Sequence, residues 1–215
     1  MPDAVRPGMT MGIAERRLRQ KSSLRDTILA AARQMFIEDG YEAVSMRKLA
    51  ERIEYSPTAI YLHFADKDAL FRTVCDETFA RLVKRLEKAR AKHAGDPLGW
   101  LRAGLEEYIR FGLNHPEHYA VTFLQRQRGS QTDFEGSSGE RAFAFLREAV
   151  AQCDEAGLLR PMRREVAAQV LWVSIHGLVA LLIVDESFPF APRQTLIDAQ
   201  LETLLAGLMK GPAGG

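Results

Sequence analysis

Cysteine is nearly absent from this chain of 215 residues: Cys75 and Cys153 are the two present, far apart. They supply neither a disulfide framework nor zinc-ligand spacing, and they suit a reducing, cytoplasmic setting. Net charge is missing too. The 29 Lys and Arg against 28 Asp and Glu leave a formal charge of +1, so no global basic field advertises nucleic acid. Met1 to Ser22 lacks the apolar core of a secretory signal. No phosphate loop, nucleophile elbow or histidine–glutamate metal motif occurs. His115 and His118 are separated by the helix breaker Pro116, and two histidines are too few for a metal site. The expectation is a protein that is not an enzyme and carries no metal or cofactor. Long apolar runs are confined to Val166–Val184, which Gln169, Ser174 and His176 interrupt. It reads as a helix buried within protein rather than a membrane span.

What the chain has is helical periodicity from end to end, with no alternating strand pattern and no internal repeat. A 47% hydrophobic and 27% charged composition suits a globular fold with a substantial core. The most informative segment is "SMRKLAERIEYSPTAIYLHF", residues 45–64. Met46, Leu49, Ala50 and Ile53 recur at helical spacing, while Arg47, Lys48 and Glu51 hold the opposite face. A turn follows. Ser56 is placed to cap a second helix, and Pro57 suits its first position, where a missing N–H costs nothing. Two short helices about a tight turn are the sequence form of a helix-turn-helix, whose second helix enters the DNA major groove.

Extended to "SMRKLAERIEYSPTAIYLHFADKDAL", this stretch closely resembles the DNA-binding segment of TetR-family transcriptional repressors. The capping Ser45, the Tyr61–Phe64 aromatic pair and Lys67 at the start of a fourth helix carry the match. The upstream "ILAAARQMFIEDGYEAVS" resembles the family's first helix and its Gly-Tyr turn. The resemblance covers about residues 24–71. Two positions depart from it. Glu54 stands where the family often has glycine, so a non-glycine residue must make a left-handed turn. Thr58 replaces another frequent glycine and adds a hydroxyl to the face that meets DNA.

The resemblance implies an all-α architecture of about nine helices. A helix-turn-helix domain (23–68) precedes a helical effector-binding and dimerisation domain (69–210), between a flexible basic N-terminal arm (1–22) and a disordered tail (211–215). From Arg6 to Arg25 the six basic residues Arg6, Arg16, Arg17, Arg19, Lys21 and Arg25 stand against one acid, Glu15. The run fits a solvated tail, and also fits added phosphate contacts. Helix one is expected from Ser23, in a capping-box-like pair with Asp26, to Asp39, with Gly40 as the stop. Helix four should begin at the cap Asp66 and run to about His93, and helix five should begin at Asp96-Pro97. Helix six should extend to about Arg128, followed by a polar loop (129–139). The remaining helices are expected over Glu140–Glu155, Arg164–Asp185 and a stripe from Leu196 to Leu208.

Within the motif, Pro57, Thr58 and Ala59 sit at the start of the recognition helix. Thr58 can hydrogen-bond a base edge, a methyl of Thr58 or Ala59 can touch a thymine methyl, and Arg47 can take a guanine or a phosphate. Ser45, Ser56, Tyr61, His63 and Lys67 resemble the family's phosphate-contacting frame, and Met46 completes the DNA-binding set. In the second domain, "WVSIHGL" (172–178) resembles the Trp-His-Gly signature of one TetR-family C-terminal domain type. Phe79, Tyr108, Phe111, Phe123, Phe143, Trp172 and His176 are the candidates for an effector pocket, though aromatics at helical spacing equally fit plain core. The resemblance further implies a homodimer through the last two long helices, where Gly177 and Ala180 would permit close approach. The expected function is a ligand-responsive repressor that binds a palindromic operator on double-stranded DNA and is released by a hydrophobic or amphipathic small molecule. The alternative is a DNA-binding relative acting through a protein partner or a cysteine switch at Cys75 or Cys153.

Overall fold

The computed structural model describes residues 13–124, 136–185 and 187–210, with side chains from Ser23 onward and that of Leu124 excepted. Among them it is all-α, with nine α-helices and one π-helical segment, and it divides into two compact units at Phe71/Arg72. The basic arm before Ile13, the segment 125–135 and the tail 211–215 lie outside the described residues.

In the first unit, α1 (Ile13–Ala43) begins well before Ser23 and passes through it. The expected capping pair is therefore absent: Ser23 is inside the helix, and its carbonyl accepts from the Thr27 hydroxyl at 2.9 Å. Helical geometry does break at Gly40, where φ is 76°, a value that suits glycine. Ile28, Ala32, Met35 and Phe36 of α1 are buried with Leu49 and Ala50 of α2 (Met46–Arg52), Ile60 of α3 (Pro57–Tyr61), and Phe64. The rings of Phe36, Tyr41 and Phe71 close this core, with centroids 4.9–5.9 Å apart.

Local chemistry sets both short helices. Ser45 caps α2, its Oγ accepting from the Lys48 N–H at 3.2 Å, and Ser56 caps α3 by the same bond from Ala59. Between them, Glu54 adopts φ 57°, the one positive φ of a non-glycine residue among those described. A left-handed backbone costs an L-residue about 1–2 kcal/mol. Glu54→Gly is therefore expected to stabilise the protein by about 0.5–1 kcal/mol, part of the strain relief being offset by the freer unfolded chain. Urea unfolding would show this as a higher midpoint at unchanged slope, and a lower midpoint would contradict it.

In the second unit α4 (Lys67–Lys92), which opens in the first, has Asp66 as its cap, bonded to the Ala69 N–H at 2.6 Å. Asp96 caps α5 (Pro97–Asn114) through Gly99. The break at His115-Pro116 leaves a single turn, α6 (Pro116–Tyr119), which widens into a π-helical segment (Ala120–Leu124). Over its described residues the expected sixth helix is irregular, and the rest of its expected span, 125–128, lies outside them. Ser137 caps α7 (Ser138–Glu155), so this helix starts two residues before the expected Glu140. α8 (Arg164–Val184) and α9 (Arg193–Leu208) follow, and a β-bridge between Leu159 and Met209 ties the end of α9 to the α7–α8 connection.

α5 lies at the centre of this unit. Its Trp100, Leu101, Leu105 and Ile109 are buried with Val150 and Cys153 of α7, Leu171 and Ile175 of α8, and Leu201 of α9. α8 is long and apolar enough to cross a membrane by length and composition. Its Ala167, Ala168, Leu171, Ile175, Leu178 and Val179 nevertheless enter the unit's core. Val166, Val170, Val173, Leu181 and Val184 line the opposite side, exposed.

Candidate nucleic-acid interface and aromatic cluster

The face of the first unit formed by the N-terminus of α2, the turn and α3 is exposed at Ser45, Arg47, Ser56, Pro57, Thr58 and Tyr61, and half exposed at Ala59, His63 and Lys67. Tyr61, at 54% exposure, extends from a helix whose Ile60 is completely buried. Phe64 is core, with the Arg25 guanidinium 5.4 Å from its ring centre. Met46 must be withdrawn from the DNA-facing set. It is 6% exposed, because the helical phase that turns Leu49 and Ala50 inward also turns Met46 inward.

Four of the polar candidates, Ser45, Arg47, Ser56 and Lys67, are engaged in the chain itself. Arg47 pairs with Glu51 at 3.0 Å. Such an exposed i,i+4 pair contributes only about 0.3–0.5 kcal/mol, so a phosphate or guanine can replace it cheaply. Lys67 is held more firmly: its Nζ donates to the Tyr41 carbonyl at 3.1 Å and lies 4.1 Å from the centre of the Tyr41 ring. It is as much a strut for the Gly40–Tyr41 turn as a charge available to DNA. Two exposed side chains escaped the sequence reading. Tyr55 in the turn is 50% exposed and Leu62 is 74% exposed. Leu62 stands four residues after Thr58, and that spacing could have placed it on the same face.

In the second unit most of the candidate aromatics converge. Phe79 meets Phe123 edge-on with centroids 5.2 Å apart, Phe123 lies 5.5 Å from His176, His176 5.5 Å from Trp172, and Trp172 6.0 Å from Phe143. These five rings form a half-buried ribbon contributed by α4, the π-helical segment, α8 and α7. Tyr108 of α5 lies against it, 6.0 Å from Phe123. Phe111 does not belong. It is 2% exposed, and its ring partners are His115 and the Arg85 guanidinium, so it is core. One turn of α5 carries Tyr108 and Phe111 to different surroundings.

Beneath the ribbon is a polar group that the sequence reading missed. Tyr119 is completely buried, and its hydroxyl lies 2.5 Å from His176 Nδ1 and 3.2 Å from the Tyr108 hydroxyl. Tyr108 is 3.1 Å from the same nitrogen. Burial pushes the Tyr108 phenol up to about 12 and the Tyr119 phenol further, so both keep their protons. Desolvation lowers the pKa of His176, which favours the neutral imidazole. Tyr119 carries no signal of its own in the sequence, because its partner is 57 residues away. Burial also raises the Cys153 thiol to about 11, far from the thiolate that a redox switch needs.

Residues 28–74 match the family described as bacterial regulatory proteins, tetR family, and residues 101–207 match a tetracyclin repressor-like C-terminal domain. The HTH-type transcriptional repressor AcnR of Corynebacterium diphtheriae is 35% identical over 114 residues, 52% of this chain and 53% of its own length. The chain thus spans about half the length of the curated relatives it matches. A solved protein of unknown function from Rhodococcus sp. RHA1 superposes with a TM-score of 0.72 at 24% identity, over 95% of this chain and 100% of its own. The TetR-family regulator PfmR of Thermus thermophilus does so with a TM-score of 0.64 at 26% identity, over 87% and 98%.

Proposed function

The chain belongs to the tetR family of bacterial regulatory proteins, and from that membership we propose that it is a cytoplasmic transcriptional repressor that binds a palindromic operator as a homodimer and is released by a hydrophobic or amphipathic small molecule. The observation that carries this reading is the exposed, doubly capped face of α2 and α3, with Thr58 and Tyr61 outward and Ile60 inward. One such module offers few base contacts. A symmetric pair reading two half-sites about one helical turn apart supplies the missing discrimination.

The exposed row Val166, Val170, Val173, Leu181 and Val184 on α8 supports the pairing. An added Cβ at Gly177, within that row, would meet nothing, so a second helix can approach closely there. The aromatic ribbon of the second unit supports an apolar effector. Release requires that the effector bind the DNA-incompetent arrangement more tightly. A coupling of about 1–3 kcal/mol lowers operator affinity roughly 5- to 150-fold. The family precedent is that α4 shifts and separates the two recognition helices.

Selection of bound duplexes from random DNA tests the first half of the proposal, and recovery of no preferred sequence would refute it. On the selected operator, Tyr61→Ala and Lys67→Ala are expected to weaken all sequences alike, whereas Thr58→Val and Arg47→Ala are expected to change the preferred bases. Equal losses across unrelated sequences for all four variants would contradict that division of labour.

A further inference from the structure

Residues 55–62, which carry the end of the turn and the recognition helix, contain no charged side chain. The commonest specific contact in the major groove, Arg or Lys on guanine, is therefore unavailable from α3 itself. Bases facing α3 meet hydroxyls and carbon, and the helical phase decides which carbon. Leu62 continues α3 in helical geometry, with φ −69° and ψ −16°, and its N–H donates to the Thr58 carbonyl at 3.2 Å. Its side chain thus stands one turn beyond Thr58 on the same face. Ile60 and Phe64, each two residues away and so on the opposite side of a 3.6-residue helix, are buried. Leu62 therefore occupies the middle of the outward face. Among the described residues it is the most exposed of the large hydrophobic side chains.

A leucine side chain neither donates nor accepts a hydrogen bond, so the donor and acceptor pattern of a base pair is invisible to it. Against phosphates it would strip hydration and return nothing. The one apolar feature that bases present in the major groove is the thymine C5 methyl. We propose that Leu62 is a specificity-determining residue that reads a thymine methyl in each operator half-site. Its removal costs recognition at that base alone, because Leu62 holds no phosphate that would fix the register. This deepens the operator reading above and rests on it.

The test begins with selection from random duplexes by the wild-type chain and by Leu62→Ala at one salt concentration. The wild type should require thymine at one position of each half-site, and Leu62→Ala should flatten that position while keeping the others. Leu62 is outside the core, so the variant's helicity should match the wild type. Anisotropy then compares the selected operator with one carrying deoxyuridine for that thymine, which keeps the hydrogen-bonding edge and removes the methyl. Wild-type affinity should fall about three- to fivefold per half-site, the value of one buried methyl group, and Leu62→Ala should bind both duplexes equally. A flattened position other than thymine, a preference untouched by Leu62→Ala, or an equal uracil penalty in both proteins would overturn the assignment and leave the operator reading intact. A wild-type chain that selects no sequence would sink both.

Discussion

Val173→Glu is expected to leave the protein monomeric and to lower its affinity for a selected palindromic duplex by about 100-fold or more. Val173 is 60% exposed at the middle of the α8 row, between Val166 and Val170 on one side and Leu181 and Val184 on the other. In a symmetric pair the same patch meets itself, so the substitution places two carboxylates near one another in apolar surroundings. Neither would have a cation, and burying an unpaired charge costs far more than an apolar contact of this size returns. The buried face of α8, from Ala167 to Val179, is untouched, so helicity and the unfolding midpoint of the protomer should change little. Sedimentation gives the mass, and anisotropy with a labelled duplex gives the affinity. A variant that stays dimeric and binds normally would place the interface elsewhere.

The second large effect is on stability. At Gly112 an added Cβ would lie 2.5 Å from Val179 Cγ1 and 2.9 Å from Tyr119 Cδ2. Alanine's helix propensity would favour the change by up to about 1 kcal/mol. The clash opposes it, because Val179 is β-branched and stiff and Tyr119 is completely buried, so neither can step aside. With a branched side chain the strain dominates: Gly112→Val is expected to destabilise by about 3 kcal/mol through overpacking. Gly207→Ala in α9 is the control, since an added Cβ there meets nothing, and it should be neutral or slightly stabilising. Urea unfolding followed by far-ultraviolet dichroism measures both. A loss below about 1 kcal/mol at Gly112 would mean that α5 and α8 can part without cost.

These two positions mark where reading along the chain works and where it stops. The α8 row is periodic, and periodicity is visible in one dimension. Gly112 looks like any helical glycine until Val179, 67 positions later, is known to pack on it. The same contrast runs through the DNA-facing unit. Ser45, Ser56, Pro57 and Glu54 act on backbone groups within four residues of themselves, so their roles can be read in order of occurrence. Met46 does not face DNA as its place in the motif suggests, and its spacing to Leu49 and Ala50 already puts it on the inner face. Ser23 resembles a helix start because its side chain can cap. Nothing local reveals that the chain is already helical from Ile13.

What the amino-acid order determined by itself was the all-helical class, most helix ends and the outward face of the recognition helix. All of these rest on short-range hydrogen bonds and on the 3.6-residue repeat. Tertiary structure alone decided which aromatics form the ribbon, that Phe111 leaves it, and that Tyr119 joins Tyr108 and His176 beneath it. Those outcomes depend on how α5, α6 and α8 pack, which brings together groups tens of residues apart. A buried hydroxyl must find whichever partner that packing delivers.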